Sequence, residues 1–222
     1  MNVPKDPNCA YCAEGALVDK FGIKIRELPA SKVYLFREQS HRGRVIVASK
    51  YHVSEMVDLP PAERRAFLDD VASVAAALHR LFKPAKVNYG AYGDTGCHLH
   101  FHLVPKYSDD TFEWGGTFAM NPQRTYLTDA EYADLVAKIS AELLLAGGDL
   151  RGAFMRLRDE VKADGKLDMA ESALMAEAFA PYAESDKRIA DLVAELKDVR
   201  ADGVVTAEES ARILALLDRL LG

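Results

Sequence analysis

Apolar positions along the first two-thirds of the chain alternate between a period of two and a period near 3.6. Lys32-Val-Tyr-Leu-Phe-Arg37 and Arg44-Val-Ile-Val-Ala-Ser49 are short runs of β-branched and aromatic residues. They predict two strands, with His41-Arg-Gly43 as the turn between them. Pro60-Pro61 then opens a helix through Phe82, with Phe67, Leu68, Val71, Val74, Ala75, Leu78 and Leu81 on one broad face. Lys83-Pro84 stops it, because the residue before a proline avoids the helical region. Lys86–Tyr92 and Leu99–Lys106 predict two more strands around Gly93-Asp94-Thr95-Gly96. Thr128 followed by Glu131 is a capping-box signal for a helix to about Leu145. Strands flanked by separate helices and joined by short loops predict an α+β domain rather than a doubly wound one.

Beyond this point the character of the chain changes. Residues 151–222 hold only three of the aromatics, Phe154, Phe179 and Tyr182, but 14 alanines, a helix-favouring composition. Ala146-Gly-Gly-Asp149 is a natural joint, since two glycines can end a helix and turn the chain. We therefore expect one domain over 1–148 and a small all-helical one over 149–222. The second carries a repeat: Ala163-Asp-Gly-Lys-Leu-Asp-Met-Ala-Glu-Ser-Ala173 returns as Ala201-Asp-Gly-Val-Val-Thr-Ala-Glu-Glu-Ser-Ala211, offset by 38 residues. The pattern is helix, Asp-Gly loop, helix, twice over.

Composition narrows the function. The net charge is −6, so no general nucleic-acid-binding surface is expected. The apolar stretch Val71–Leu78 is far shorter than the roughly 18 residues of a membrane span. The opening residues show no apolar signal segment, and three cysteines, an odd number, argue against a disulfide scaffold. A soluble cytoplasmic protein is the expectation.

The densest chemistry lies at Cys97-His-Leu-His-Phe-His-Leu-Val-Pro105. On a strand, His98, His100 and His102 share one face, and Leu99, Phe101 and Leu103 the other. Three alternating imidazoles have no packing advantage over threonine or valine, so the row suits a metal site or a phosphate-transfer site. Cys9-Ala-Tyr-Cys12 could be a redox pair or half of a metal site; the absence of a βαβ pattern around it weakens the redox reading. Cys97 reads as a small core or turn residue rather than a ligand. His41 and His79 read as structural, and Trp114 as packing.

His98-Leu-His-Phe-His-Leu-Val104 resembles the signature of the histidine triad (HIT) superfamily of nucleotide hydrolases and transferases. Val87-Asn-Tyr-Gly-Ala-Tyr-Gly-Asp94 and Phe112-Glu-Trp-Gly-Gly116 look like one bacterial branch of it. The likeness runs from residue 9 to about 145 and leaves the tail aside. It implies an antiparallel sheet of about five strands crossed by one long helix, and a homodimer acting on a nucleotide, with no organic cofactor. His100 would attack the α-phosphate and form a nucleotidyl-histidine later released by water. His102 would face the phosphate and leaving group, and His98 would orient His100 or bind metal. Gly96 and Cys97 would contact phosphate through the backbone. Many relatives place a glutamine, then serine or threonine, before the first histidine; here the loop is shorter, Thr95 is the substitute, and Asn88 joins the substrate-binding set. The resemblance also implies a Cys₂His₂ structural zinc on Cys9, Cys12, His52 and His98. Retention of His102 favours water over another acceptor, the alternatives being nucleotidyl transfer and a non-catalytic nucleotide-binding scaffold.

The tail loops resemble degenerate EF-hands. Calcium-ligand places fall on Glu160, Lys162, Asp164, Asp168 and Glu171, and again on Asp198, Arg200, Asp202, Thr206 and Glu209. A base at the third place of each loop repels calcium. The repeat is also similar to loops of tellurite-resistance-type helical domains, and a metal-free helical module with an unknown partner is expected.

Overall fold

The computed structural model describes residues 5–93, 96–108, 114–118, 123–144, 150–164, 169–184, 186–199 and 205–222. Two compact units emerge, Met1–Ile139 and Ser140–Gly222. The division falls within a helix rather than at the Gly147-Gly148 joint, which lies outside the described residues.

The first unit is a five-stranded antiparallel sheet in the order β1-β2-β3-β5-β4. Its strands are β1 (Gly22–Glu27), β2 (Ser31–Phe36), β3 (Val45–Ser49), β4 (Lys86–Gly90) and β5 (His100–Lys106). β1 has no counterpart among the runs singled out above. It is an edge strand, half exposed and broken by a bulge between Lys24 and Arg26, so its apolar alternation is faint. β2 and β3 are buried along their whole length. A sheet covered on both faces requires this, and it explains why both runs are so apolar.

One cover is the helix α2 (Pro61–Phe82), which packs on β3, β4 and β5. It begins and ends as predicted, but its buried face differs. Leu68 is 40% exposed and Leu81 only half-buried, whereas Asp70 is buried. The Asp70 carboxylate accepts hydrogen bonds from Ala30 N (2.9 Å) and Ser31 Oγ (2.7 Å), tying the helix to the start of β2. Lys83 closes α2 in the left-handed conformation. Gly43, also left-handed, faces Phe82 so closely that a Cβ would lie 2.8 Å from its ring.

The other cover is the N-terminal segment. The short helix α1 (Ala10–Ala13) lays Tyr11 on Tyr34, Phe36, Ile46 and Ala48, with Val18 beside them. The helix α3 (Asp129–Leu144) starts with the predicted capping exchange: Thr128 Oγ1 accepts from Glu131 N, and the Glu131 carboxylate accepts from Thr128 N.

The second unit contains α4 (Leu150–Asp164), α5 (Met169–Ala183), α6 (Lys187–Asp198) and α7 (Ala207–Leu221). Its core joins Phe154, Leu157, Phe179, Leu192, Leu196 and Ile213. The repeat survives in the packing: Val161 and Val199 are both buried, as are Ser172 and Ser210. The Asp-Gly turns themselves, with Gly165, Asp168, Arg200, Asp202 and Gly203, lie outside the described residues. Glu209 is engaged in a capping box with Thr206. Among the described residues no helix is long and apolar enough to cross a membrane.

Candidate functional site

Antiparallel pairing sets the site on the α1 face of the sheet. His102 lies opposite Ile46, and His100 opposite Ala48, so both rings point where α1 packs. Phe101, of the other parity, meets Phe67 of α2 with ring centroids 6.0 Å apart. The period-two reading thus holds for β5. His98 precedes the strand proper but joins the same cavity, about 580 Å³, whose walls include Tyr11, Phe21, Phe36 and Ile46.

Each triad ring has a hydrogen bond that decides which nitrogen carries its proton. His98 Nε2 donates to the Ser49 carbonyl (2.8 Å), leaving its Nδ1 lone pair toward the cysteines. His100 Nδ1 donates to the His98 carbonyl (2.7 Å), which leaves Nε2 as the lone-pair nitrogen. His102 Nδ1 accepts from Arg44 Nη2 (3.2 Å). Burial pushes the His98 ring down to about 4 and keeps it neutral. Tyr11 lies across His98 and His100, 5.1 Å from each ring centroid.

The two cysteines, His52 and His98 converge. His98 Nδ1 is 3.3 Å from Cys9 Sγ, 3.6 Å from Cys12 Sγ and 3.2 Å from His52 Nδ1, and Cys12 Sγ is 3.3 Å from His52 Nδ1. All four donor atoms lie within 4.8 Å of one another. Four ligands around a tetrahedral zinc, at bond lengths of about 2.0–2.3 Å, would stand roughly 3.3–3.8 Å apart. The donor set fits a metal ion.

Other expected residues fare differently. Gly96 and Cys97 line the histidine cavity, and of the two places expected for Cys97, core or turn, its exposure excludes the core. Asn88 is elsewhere: on the edge strand β4 it lines a separate hollow with Lys86, Lys106 and Trp114. Trp114, expected to pack, is 60% exposed and carries Lys106 Nζ 5.6 Å above its ring. Thr95 lies outside the described residues. Two participants are additional, Tyr11 and Arg44. Arg44 shares the parity of Ile46 and Ala48, so a charged residue opening that apolar run was a readable signal.

Comparison with protein families matches residues 26–109 to the HIT domain. Solved structures agree on the fold. A histidine triad protein from Marinobacter aquaeolei is 21% identical with a TM-score of 0.55, over 60% of this chain and 97% of that one. A histidine triad protein from Bradyrhizobium japonicum is 19% identical with a TM-score of 0.53, over 58% and 96%. Another, from Sinorhizobium meliloti, is 22% identical with a TM-score of 0.51, over 55% and 90%. The stretch that matches the HIT domain contains the three alternating histidines, His98, His100 and His102. No curated protein matches the sequence.

Proposed function

We propose that the HIT domain hydrolyses a nucleotide derivative, a dinucleoside polyphosphate or a nucleoside phosphoramidate, at its α-phosphate. The observation that carries this reading is the hydrogen bond from His100 Nδ1 to the His98 carbonyl (2.7 Å). It fixes the neutral tautomer whose Nε2 lone pair can attack phosphorus, on the wall of a cavity with aromatic sides. His100 forms the nucleotidyl intermediate, His102 faces the leaving group, and the Gly96-Cys97 backbone meets the phosphate. Water then releases the mononucleotide.

Cys9, Cys12, His52 and His98 hold a zinc ion in this reading. The convergence of all four donor atoms within 4.8 Å of one another supports it. Thiolate and imidazole ligands suit zinc. With four protein ligands the ion has no open position, so its role is to pin α1 to the two histidine segments.

Replacing His100 with alanine tests the reading. Turnover of a dinucleoside polyphosphate should fall by several orders of magnitude with the fold intact, because no other group makes the phosphorus–nitrogen bond. Near-normal turnover would overturn it.

A further inference from the structure

Arg44 is fully buried and reaches the third triad histidine with its guanidinium. Its guanidinium carbon stands 4.0 Å from the ring centroid of Phe36 and 5.3 Å from that of Phe118, within cation–π range of both. Burial pushes Arg44 down to about 10, so it remains charged at neutral pH. A guanidinium only donates. Its contact with His102 Nδ1 at 3.2 Å therefore requires a lone pair there, and the proton of the neutral ring sits on Nε2.

Protonating Nδ1 would break this hydrogen bond and set two cations against each other in a buried site. The Glu38 carboxylate acts on Arg44 and helps to keep the guanidinium charged, while the two rings beside His102 carry no negative charge to offset a proton there. Phe36 meets the His102 ring edge-on at 5.6 Å, and His100 stands at 5.2 Å. Burial, then the Arg44 charge, push the His102 ring down to about 3, in agreement with the geometry.

We propose that Arg44 is a positioning residue that holds His102 as a neutral Nε2–H hydrogen-bond donor, and that this selects phosphoric anhydrides over phosphoramidates as substrates. The inference rests on the hydrolase reading above and narrows its substrate class. In the first step the His100 Nε2 lone pair forms the P–N bond. The bond from phosphorus to the leaving group breaks, and its electron pair departs with that group. From an anhydride the pair stays on a phosphate oxygen, which is stable as an anion and needs only the hydrogen bond from His102. From a phosphoramidate the pair falls on an amine nitrogen, which must take up a proton as it leaves. His100 has spent its lone pair on phosphorus, and neutral His102 could give its proton only by becoming an imidazolate. General acid catalysis is worth about 10²–10⁴-fold, and the phosphoramidate forgoes it.

The test uses the full-length protein with diadenosine tetraphosphate and adenosine phosphoramidate. We expect kcat/KM for the anhydride to exceed that for the phosphoramidate by about a hundredfold or more. Nitrogen-15 NMR of the His102 side chain should show Nε2 protonated and Nδ1 bare from pH 5 to pH 8. Arg44→Met removes the cation and frees Nδ1, so the phosphoramidate-to-anhydride rate ratio should rise about tenfold or more; a merely structural role would lower both rates together. Phosphoramidate turnover within tenfold of the anhydride, or a proton on His102 Nδ1, would overturn the proposal even if the variant failed to fold. If neither substrate turned over and His100 took up no nucleotide, the hydrolase reading would fall and the substrate selection with it. The NMR result would then still decide the positioning role.

Discussion

Tyr11 is the residue through which the cysteine-bearing helix touches the triad, and Tyr11→Ala measures how firmly the two are joined. The ring is 8% exposed and packs against His98, His100, Phe21 and Tyr34, with centroids 5.1–5.9 Å away. Truncating a buried aromatic to alanine costs about 3–5 kcal/mol. With four ring partners Tyr11 belongs near the middle, about 4 kcal/mol, or roughly a thousandfold in the ratio of folded to unfolded protein. Trp114 is the only tryptophan and lies in the first unit, so its fluorescence during urea unfolding follows that unit. Tyr11→Phe keeps the ring and should stay within about 1 kcal/mol of the parent. A loss under about 1 kcal/mol for Tyr11→Ala would mean that α1 is not held on the sheet by this ring, and the coupling of metal segment to triad would be wrong.

About one zinc per chain should co-purify, measured by atomic emission, and Cys9→Ser should lower the metal content and the stability of the first unit more than the chemical step. His102 gives a pH dependence of stability: its folded pKa of about 3 lies below the ordinary 6.5, so its contribution is intact above pH 6.5 and is lost as pH falls toward 3. Between pH 7 and pH 5 this amounts to about 2 kcal/mol, and urea midpoints at the two pH values should differ by correspondingly less in His102→Asn. In the second unit, Thr206→Ala should cost about 1 kcal/mol by removing the capping box of α7. Calorimetry should find no micromolar calcium binding to the intact chain, because bases stand at Lys162 and Arg200 and Glu209 already caps a helix.

The parts of this domain that were legible in the sequence are those whose physical causes are local or strictly periodic. α2 runs from a proline start to a proline stop, and β5 carries its histidines at period two, so both elements and the shared face could be read directly. β1 could not, because a half-exposed edge strand with a bulge leaves little alternation to see. Asp70 was hidden for another reason: its burial depends on Ala30 and Ser31, partners from a distant segment that no helical period reveals. The convergence of Cys9 and Cys12 with His52 and His98 was implied by resemblance alone, since only the folded sheet brings residues 9 and 98 together. Asn88 lies opposite Val104, on the histidine face of β5's neighbour β4, but one pair beyond Gly90 and His102, where it lines a hollow with Lys106 and Trp114. Arg44 shows the opposite case, a charge at the head of an apolar run whose strand parity already put it on the histidine face.

The most direct test of the account is to trap the intermediate. The full-length protein is mixed with diadenosine tetraphosphate, quenched in base within a turnover, digested and analysed by mass spectrometry. The account predicts one mononucleotide attached to the peptide containing His98, His100 and His102, located on His100 by fragmentation and missing from His100→Ala. Turnover without any such adduct, or an adduct on another residue, would contradict it.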